Sequence, residues 1–229
     1  MNSLCVFAGH SRLAERAGWT RVKGIGDTDG IGGANGKAAL RARLLAARRT
    51  LAAGEREEAA RALARHAAAL PELAGTGTVA GYVSVGGEPG TRELLETLRE
   101  RGVRVLLPVL RDDNDLDWAR YEGPGSLVAG PRGLLEPFGP RLGRRAVLAA
   151  GTVLLPGVAV DASGTRLGRG GGSYDRVLER LALAGAHPVL MVLLYAHEVV
   201  AAVPREPHDH PVHAVLTPEG VRRFAAPTA

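Results

Sequence analysis

The chain has 229 residues, of which 45% are hydrophobic, 23% charged and 4% aromatic, with a formal net charge of +5 and a pI near 10. That length holds one large domain or two small ones, with a core built from Leu, Val and Ala rather than aromatic rings. A basic balance favours an anionic partner only weakly. With no block of like charges, and no aromatics among the basic residues, it argues against a nucleic-acid platform.

Cys5 is the single cysteine, which excludes a disulfide framework and a cysteine-based metal site and suits a reducing cytoplasm. LCVFAG near the start lacks a preceding basic region, so no signal peptide is expected. The longest uncharged run, AVLAAGTVLLPGVAV, is broken by Pro156 and Gly157 and is too short to span a bilayer. These features predict a cytoplasmic protein without a membrane partner.

Residues 1–35 include WTRVKGIGDTDGIGGANG, which is rich in glycine and has no hydrophobic period; they read as a flexible extension before a domain at 36–229. DTDG at 27–30 has the start of a calcium loop without its later ligands. Asn35 is the expected N-cap of KAALRARLLAARRTLA, whose Leu40, Leu44, Ala47 and Leu51 share one helical stripe. A second helix, EREEAARALARHAAAL, ends before Pro71. GTVAGYVSV (77–85) reads as a strand and GGEPG as a tight loop, with Thr91 placed to cap TRELLETLRER up to Gly102. VRVLLPVL (103–110) is a buried strand, and DDNDLDWARYE gives a solvated acidic turn followed by an alternating strand from Leu116.

A region rich in Gly and Pro follows at 123–145, containing GLLEPFGP. AVLAAGTVLLPGVAVD reads as a helix end and a buried strand. SYDRVLERLALAG reads as a helix carrying Val177, Leu178, Leu181 and Ala184 inward, PVLMVLLYA (188–196) as a strand, and VHAVLTPEGV as a short strand with a capped turn. There is no internal repeat. Strands alternating with helices predict an α/β domain, and apolar runs without polar alternation suit parallel strands covered on both faces.

The segment RLGRGGGSYD (166–175) stands between a buried strand and a helix, at the carboxyl end of the strand, the edge where open α/β sheets bind ligands. Its helix start offers free N–H groups and the positive end of the dipole. Its glycines permit close backbone approach and left-handed torsions, and Arg166 and Arg169 add forked donors. Together they predict a phosphate site. The pattern is neither a P-loop, which needs GxxxxGK[ST], nor a GxGxxG dinucleotide turn.

Asp175, in the first turn of that helix, is suited equally to stabilisation by the dipole and to ligating a magnesium ion beside the phosphate. Lys37 and Arg41, four apart at a helix start, share one face and are candidates for the outer phosphates. Lys37 is one of only two lysines, the other being Lys23. Glu88 follows a strand end and is a candidate ligand anchor at the same edge. The three histidines of PHDHPVHAV, beside Asp209, match no common zinc spacing.

LLPGVAVDASGTRLGRGGGSYDRVLER (154–180) resembles the 5-formyltetrahydrofolate cyclo-ligase family, also called methenyltetrahydrofolate synthetases. KAALR at 37–41, YVSVGGEPGT at 82–91, GLLEP and EPHDHPVHAVLTPEG match further landmarks in the family's order, over about residues 37–220. The resemblance implies one open three-layer α/β/α sandwich with a mostly parallel sheet, similar to sugar-phosphate isomerases and CoA transferases. It implies ATP- and Mg2+-dependent conversion of 5-formyltetrahydrofolate into 5,10-methenyltetrahydrofolate through an iminium phosphate, and a monomer is expected.

By the same resemblance Arg166, Leu167, Gly168, Arg169, Gly170, Gly171, Gly172, Ser173 and Tyr174 hold ATP with Lys37 and Arg41. Lys37, Arg41 and Arg169 act on the reacting phosphate. Tyr82, Val83 and Glu88 contact the folate, and Asp175 binds magnesium. The chain departs from the family pattern at Ser173, in place of the first Tyr of YYD, and at Gly171, where some members have Lys. It also departs at His213, where many have a second Asp on the metal side. A phosphosugar isomerase or transferase on the same sheet would need no ATP and would leave Lys37 and Arg41 without a role. A basic nucleic-acid module would bind with a strong dependence on salt.

Overall fold

The structure, a computed structural model, describes residues 34–206 and 209–225. The expected extension and the DTDG sequence lie almost wholly outside the described residues. Two helices, α1 (Ala34–Thr50) and α2 (Ala53–Ala68), lead through the short α3 (Pro71–Ala74) into β1 (Thr78–Ala80). The chain continues through α4 (Arg92–Glu100), β2 (Arg104–Leu110) and β3 (Leu116–Arg120), then a small hairpin of β4 (Leu127–Ala129) and β5 (Leu135–Pro137). A 3-10 segment (Arg144–Ala149) precedes β6 (Thr152–Pro156), the hairpin β7 (Ala159–Val160)–β8 (Arg166–Leu167), and α5 (Ser173–Leu183). Strands β9 (Val189–Leu193), β10 (Ala214–Thr217) and β11 (Gly220–Arg223) complete it.

The main sheet has seven strands in the order β11-β10-β9-β6-β1-β2-β3. The five inner strands run parallel, and the two edges, β11 and β3, pair antiparallel to their neighbours. Alternate residues of each inner strand part to opposite faces. Val79, Val105, Leu107, Leu154, Met191, Leu193, Ala214 and Leu216 pack with α2, α3 and α4 through Leu63, Leu73, Leu94 and Leu98. Ala80, Leu106, Val153, Leu155, Val192 and Val215 pack the other way, against Val177, Leu178 and Leu181 of α5 and Val147. This is the expected three-layer α/β/α sandwich. A third cluster places Leu40 and Leu44 of α1 against Val158, Ala159 and Leu167, so α1 lies over the β7–β8 hairpin beyond the carboxyl end of β6. No described helix is long and apolar enough to cross a membrane.

Several expectations are corrected. The described helix runs from Ala34, so Asn35 lies inside it rather than at its cap position. The strand foreseen at 77–85 pairs only over 78–80. After Gly81, whose N–H still bonds to Leu106 O, the backbone turns to side-chain partners: Ser84 N donates to Thr91 Oγ1, and Thr91 Oγ1 donates to Tyr82 O. Thr91 therefore braces this extended segment and makes no side-chain cap to α4.

The acidic turn is not simply solvated, because Asp115 and Asp117 are buried. Asp115 Oδ2 accepts from Arg180 Nη2 at 2.6 Å and Arg144 Nη1 at 3.1 Å. For the same reason β3 does not alternate: four of its five residues are buried. Ala184 is exposed, one residue past the end of α5. The sequence after β10 forms β11 rather than only a turn.

Candidate active site

The glycine loop is built on the hairpin that follows β6. Asp161 fixes the hairpin's turn: Oδ1 accepts from the N–H groups of Ser163 and Thr165 and from Ser163 Oγ, while Oδ2 accepts from Val203 N. The chain then leaves β8 through Gly168–Gly172 into α5. Gly170 (φ 90°) and Gly172 (φ 74°) are left-handed, and Gly172 is the N-cap residue of α5. Only glycine adopts these torsions without strain, and the first-turn N–H groups of α5, free of intrahelical partners, follow this bare backbone. A Cβ at Gly171 would meet nothing within 4 Å, so the backbone there borders open space.

The loop is held from both sides. Arg41 Nε donates to Gly168 O at 2.8 Å, and Arg41 Cζ would lie 3.8 Å from a Cβ on Gly170. Arg166 lies beneath it, with Nη1 on Pro156 O (3.0 Å) and Nη2 on Asp175 Oδ1 (2.9 Å). Burial pulls its guanidinium pKa down, against the opposing charge of Asp175. Arg166 thus fastens β6 to α5 from inside instead of extending its fork to solvent.

Arg169 is the exposed member: its side chain is 52% accessible, and Nη1 reaches Glu88 Oε1 at 3.3 Å. Lys37 is buried, its Nζ 2.7 Å from Glu206 Oε2 and 2.8 Å from Asp209 Oδ2. Burial works against its charge, but Asp209 and Glu206 outweigh it and hold the ammonium above its ordinary pKa.

Glu88 closes the opposite wall. Its side chain is only 7% exposed, and Oε2 accepts from Val85 N at 2.9 Å. Tyr82 and Val83, on the extended segment after β1, are buried. The hydroxyls of Tyr82 and Tyr174 are buried without a partner. Burial pushes both phenols up, reinforced by the charge of Glu88, so both stay protonated and able to donate and accept. The structure therefore places Tyr82, Tyr174, Glu88 and Arg169 around one end of the site. Lys37, Arg41 and the glycine loop lie around the other.

Among the described residues no three His, Cys, Asp or Glu side chains converge as a metal site. Asp175 is 56% exposed and commits one oxygen to Arg166. A single open carboxylate oxygen suits magnesium, a hard cation that keeps waters and shares nucleotide oxygens. His213 does not join it. It precedes β10 at the amino-terminal edge of the sheet, where Nδ1 accepts from Leu190 N at 2.9 Å, whereas Arg166 and Asp175 are tied to Pro156 at the carboxyl edge. Burial, with His187 nearby, lowers its pKa.

Four residues escaped the sequence reading. Glu206 and Asp209, which hold Lys37, are distant in sequence, and only their place in the EPHDH segment marked them. Arg48 and Glu198 form a fully buried pair at the same edge, 150 residues apart, with no local motif to reveal it.

The family profile of 5-formyltetrahydrofolate cyclo-ligases matches residues 34–218. A 5-formyltetrahydrofolate cyclo-ligase of Mycolicibacterium smegmatis is 43% identical over 188 residues, covering 80% of this chain and 94% of the relative. That of Escherichia coli K12 is 35% identical over 181 residues, covering 76% and 96%. The solution structure of Aquifex aeolicus 5,10-methenyltetrahydrofolate synthetase superposes with a TM-score of 0.71 at 28% identity, covering 84% of this chain and 95% of that one. Fold, loop and sequence therefore agree: the chain belongs to the 5-formyltetrahydrofolate cyclo-ligase family.

Proposed function

We propose that residues 36–229 form a single catalytic domain that closes 5-formyltetrahydrofolate to 5,10-methenyltetrahydrofolate at the expense of ATP, releasing ADP and phosphate. The carrying observation is the Arg169–Glu88 contact, which joins the glycine loop to the carboxylate assigned to the folate. Nucleotide and folate groups thereby meet on one sheet edge, and the curated relatives are named for this reaction.

In this reading the formyl oxygen attacks the γ-phosphorus. The new P–O bond forms as the bond to ADP breaks, leaving an iminium phosphate. N10 then attacks the formyl carbon, the C–O bond breaks, phosphate departs and the N10 proton is lost. Little covalent work falls to the protein, so its contribution is positioning and charge. The N–H groups of Gly168–Tyr174 and the α5 dipole cradle the phosphates. Lys37, kept charged by Glu206 and Asp209, and Arg41 neutralise the outer phosphates.

Arg169 is the one loop cation exposed enough to swing from Glu88 to the transferring phosphoryl group, which frees Glu88 to accept the pterin's N–H donors. Magnesium, held by Asp175 together with nucleotide oxygens and water, would supply further charge neutralisation. The enzyme is read as a cytoplasmic monomer. The test mixes protein, ATP, magnesium and 5-formyltetrahydrofolate and follows the near-ultraviolet absorbance of the methenyl product. A rise that requires ATP supports the reading, and none refutes it.

A further inference from the structure

Behind the Glu88 wall lies an ion pair that the reaction as written does not use. Arg48, on α1, and Glu198, after β9, are 2% and 0% exposed at the side chain. Arg48 Nε donates to Glu198 Oε1 at 2.5 Å and Nη2 to Glu198 Oε2 at 2.9 Å, while Nη2 also donates to Gly157 O at 2.6 Å. Glu198 Oε2 in turn accepts from Tyr195 N at 3.0 Å. Three segments of the site edge are thus tied to one guanidinium: α1, which carries Lys37 and Arg41; the end of β6; and the end of β9.

A fourth segment rests on it. A Cβ on Gly87 would stand 3.4 Å from Arg48 Cβ, so the Gly87–Glu88 turn lies directly against this residue. The Tyr195 ring lies 5.9 Å from Arg48 Cζ and stacks on His197. The charge of Arg48 reaches both Glu88 and Tyr82.

A buried ion pair adds little net stability, because desolvation offsets most of its attraction and apolar side chains of similar volume often do as well. What it supplies is direction: a planar fork permits one arrangement of its acceptors. The surroundings hold further buried polar atoms without partners, namely Arg48 Nη1 and the hydroxyls of Tyr82 and Tyr195. Such atoms are costly unless a ligand or water completes them.

We infer that Arg48, with Glu198, is a positioning pair for the folate half of the site. It sets the Gly87–Glu88 turn against the bound pterin, with the Tyr195 ring beside it and Tyr82 within reach of its charge, and contributes to catalysis through that placement rather than through stability. This rests on the folate reading of Glu88.

The test is the double variant Arg48→Met/Glu198→Met, which removes both charges together and keeps the volume. Its melting temperature is expected to match that of the parent, since no lone charge remains buried. Its kcat/KM for 5-formyltetrahydrofolate is expected to fall roughly 100-fold, the scale of an ångström of misplacement. Its KM for ATP is expected to change far less, because Arg41 is held independently on Gly168 O and Lys37 on Glu206 and Asp209. A purely structural pair predicts a different outcome, with folate kinetics equal to the parent's once the melting temperature is restored. Either that result or an equal loss toward both substrates overturns the inference.

Should the double variant not fold, Arg48→Lys keeps the charge but loses the fork, and the same split between folate and ATP is read there. The unmodified enzyme serves as control. Its failure to form the methenyl product would refute the folate assignment itself, whereas an active parent with unaffected variants refutes only the role of the pair.

Discussion

Two clusters of arginine and carboxylate in this molecule differ in how fully their groups are paired, and the difference separates structure from function. Around Asp115, Arg180 and Arg144 occupy one oxygen and Leu116 N the other, and the carboxylate is only 4% exposed. That centre fastens α5 and the 3-10 segment to the β2–β3 turn, and both carboxylate oxygens are taken. Around the glycine loop the pairing is incomplete. Arg169 is half-exposed on a single 3.3 Å contact, Asp175 has one committed oxygen, and the buried hydroxyls of Tyr82 and Tyr174 have none. A buried carboxylate with both oxygens taken holds a fold together, while a half-committed one beside an exposed cation, at the carboxyl edge of a parallel sheet, is ready to receive a ligand.

The contrast can be broken first at its structural end. Asp115→Ala leaves the largely buried Arg180 without its carboxylate and is expected to destabilise the fold by about 3 kcal/mol in denaturant unfolding, while the surviving folded enzyme keeps its substrate KM values. The pH dependence has a definite sign. Burial opposes ionisation of Asp115, but the Leu116 N–H and the two guanidiniums outweigh it and hold its pKa below the ordinary 3.8. Its contribution is therefore fully present above that value and is lost as pH falls through the depressed folded pKa. The stability gap between parent and Asp115→Asn should be flat near neutrality and close in acid.

At the functional end, Lys37→Ala removes the cation assigned to the outer phosphates. It should lower kcat/KM for ATP roughly 100-fold, about 2.7 kcal/mol. An unchanged value would remove Lys37 from the site. Gly170→Ala comes next. A side chain at φ 90° strains the loop by about 1–2 kcal/mol, which should appear mainly as weaker ATP binding in titration calorimetry. Smallest in stability is Arg169→Ala, because its pair with Glu88 is half-exposed and contributes less than about 1 kcal/mol. Its effect should fall on turnover, and a melting shift larger than that would mean the pair is structural.

How far this contrast was legible in the sequence depended on distance along the chain. Most of the parallel strands, α5 and the glycine loop are local patterns of apolar run, period and punctuation, legible to within a few residues, whereas the run 77–85 pairs only over 78–80. Thr91 and Asp115 were misread because their partners decide their roles. Thr91 looks like a cap until Tyr82 O and Ser84 N claim its hydroxyl. Asp115 looks solvated until α5 brings Arg180 to it. Lys37 stands out by its spacing from Arg41 and its rarity, but Glu206 and Asp209, which hold it, are not legible as its partners. Arg48 resembled the other arginines of α1 because Glu198 is 150 residues away. His213 was aligned by motif order with the metal side, but the β9–β10 register puts it at the opposite edge.

The most direct measurement of the central claim is the absorbance assay run as a pair, with ATP and without, on the unmodified protein with magnesium and 5-formyltetrahydrofolate. The account predicts methenyltetrahydrofolate only when ATP is present, with one ADP released for each product formed. Product formation independent of ATP, or none with it, would contradict the assignment of the glycine loop as a nucleotide cradle beside a folate site.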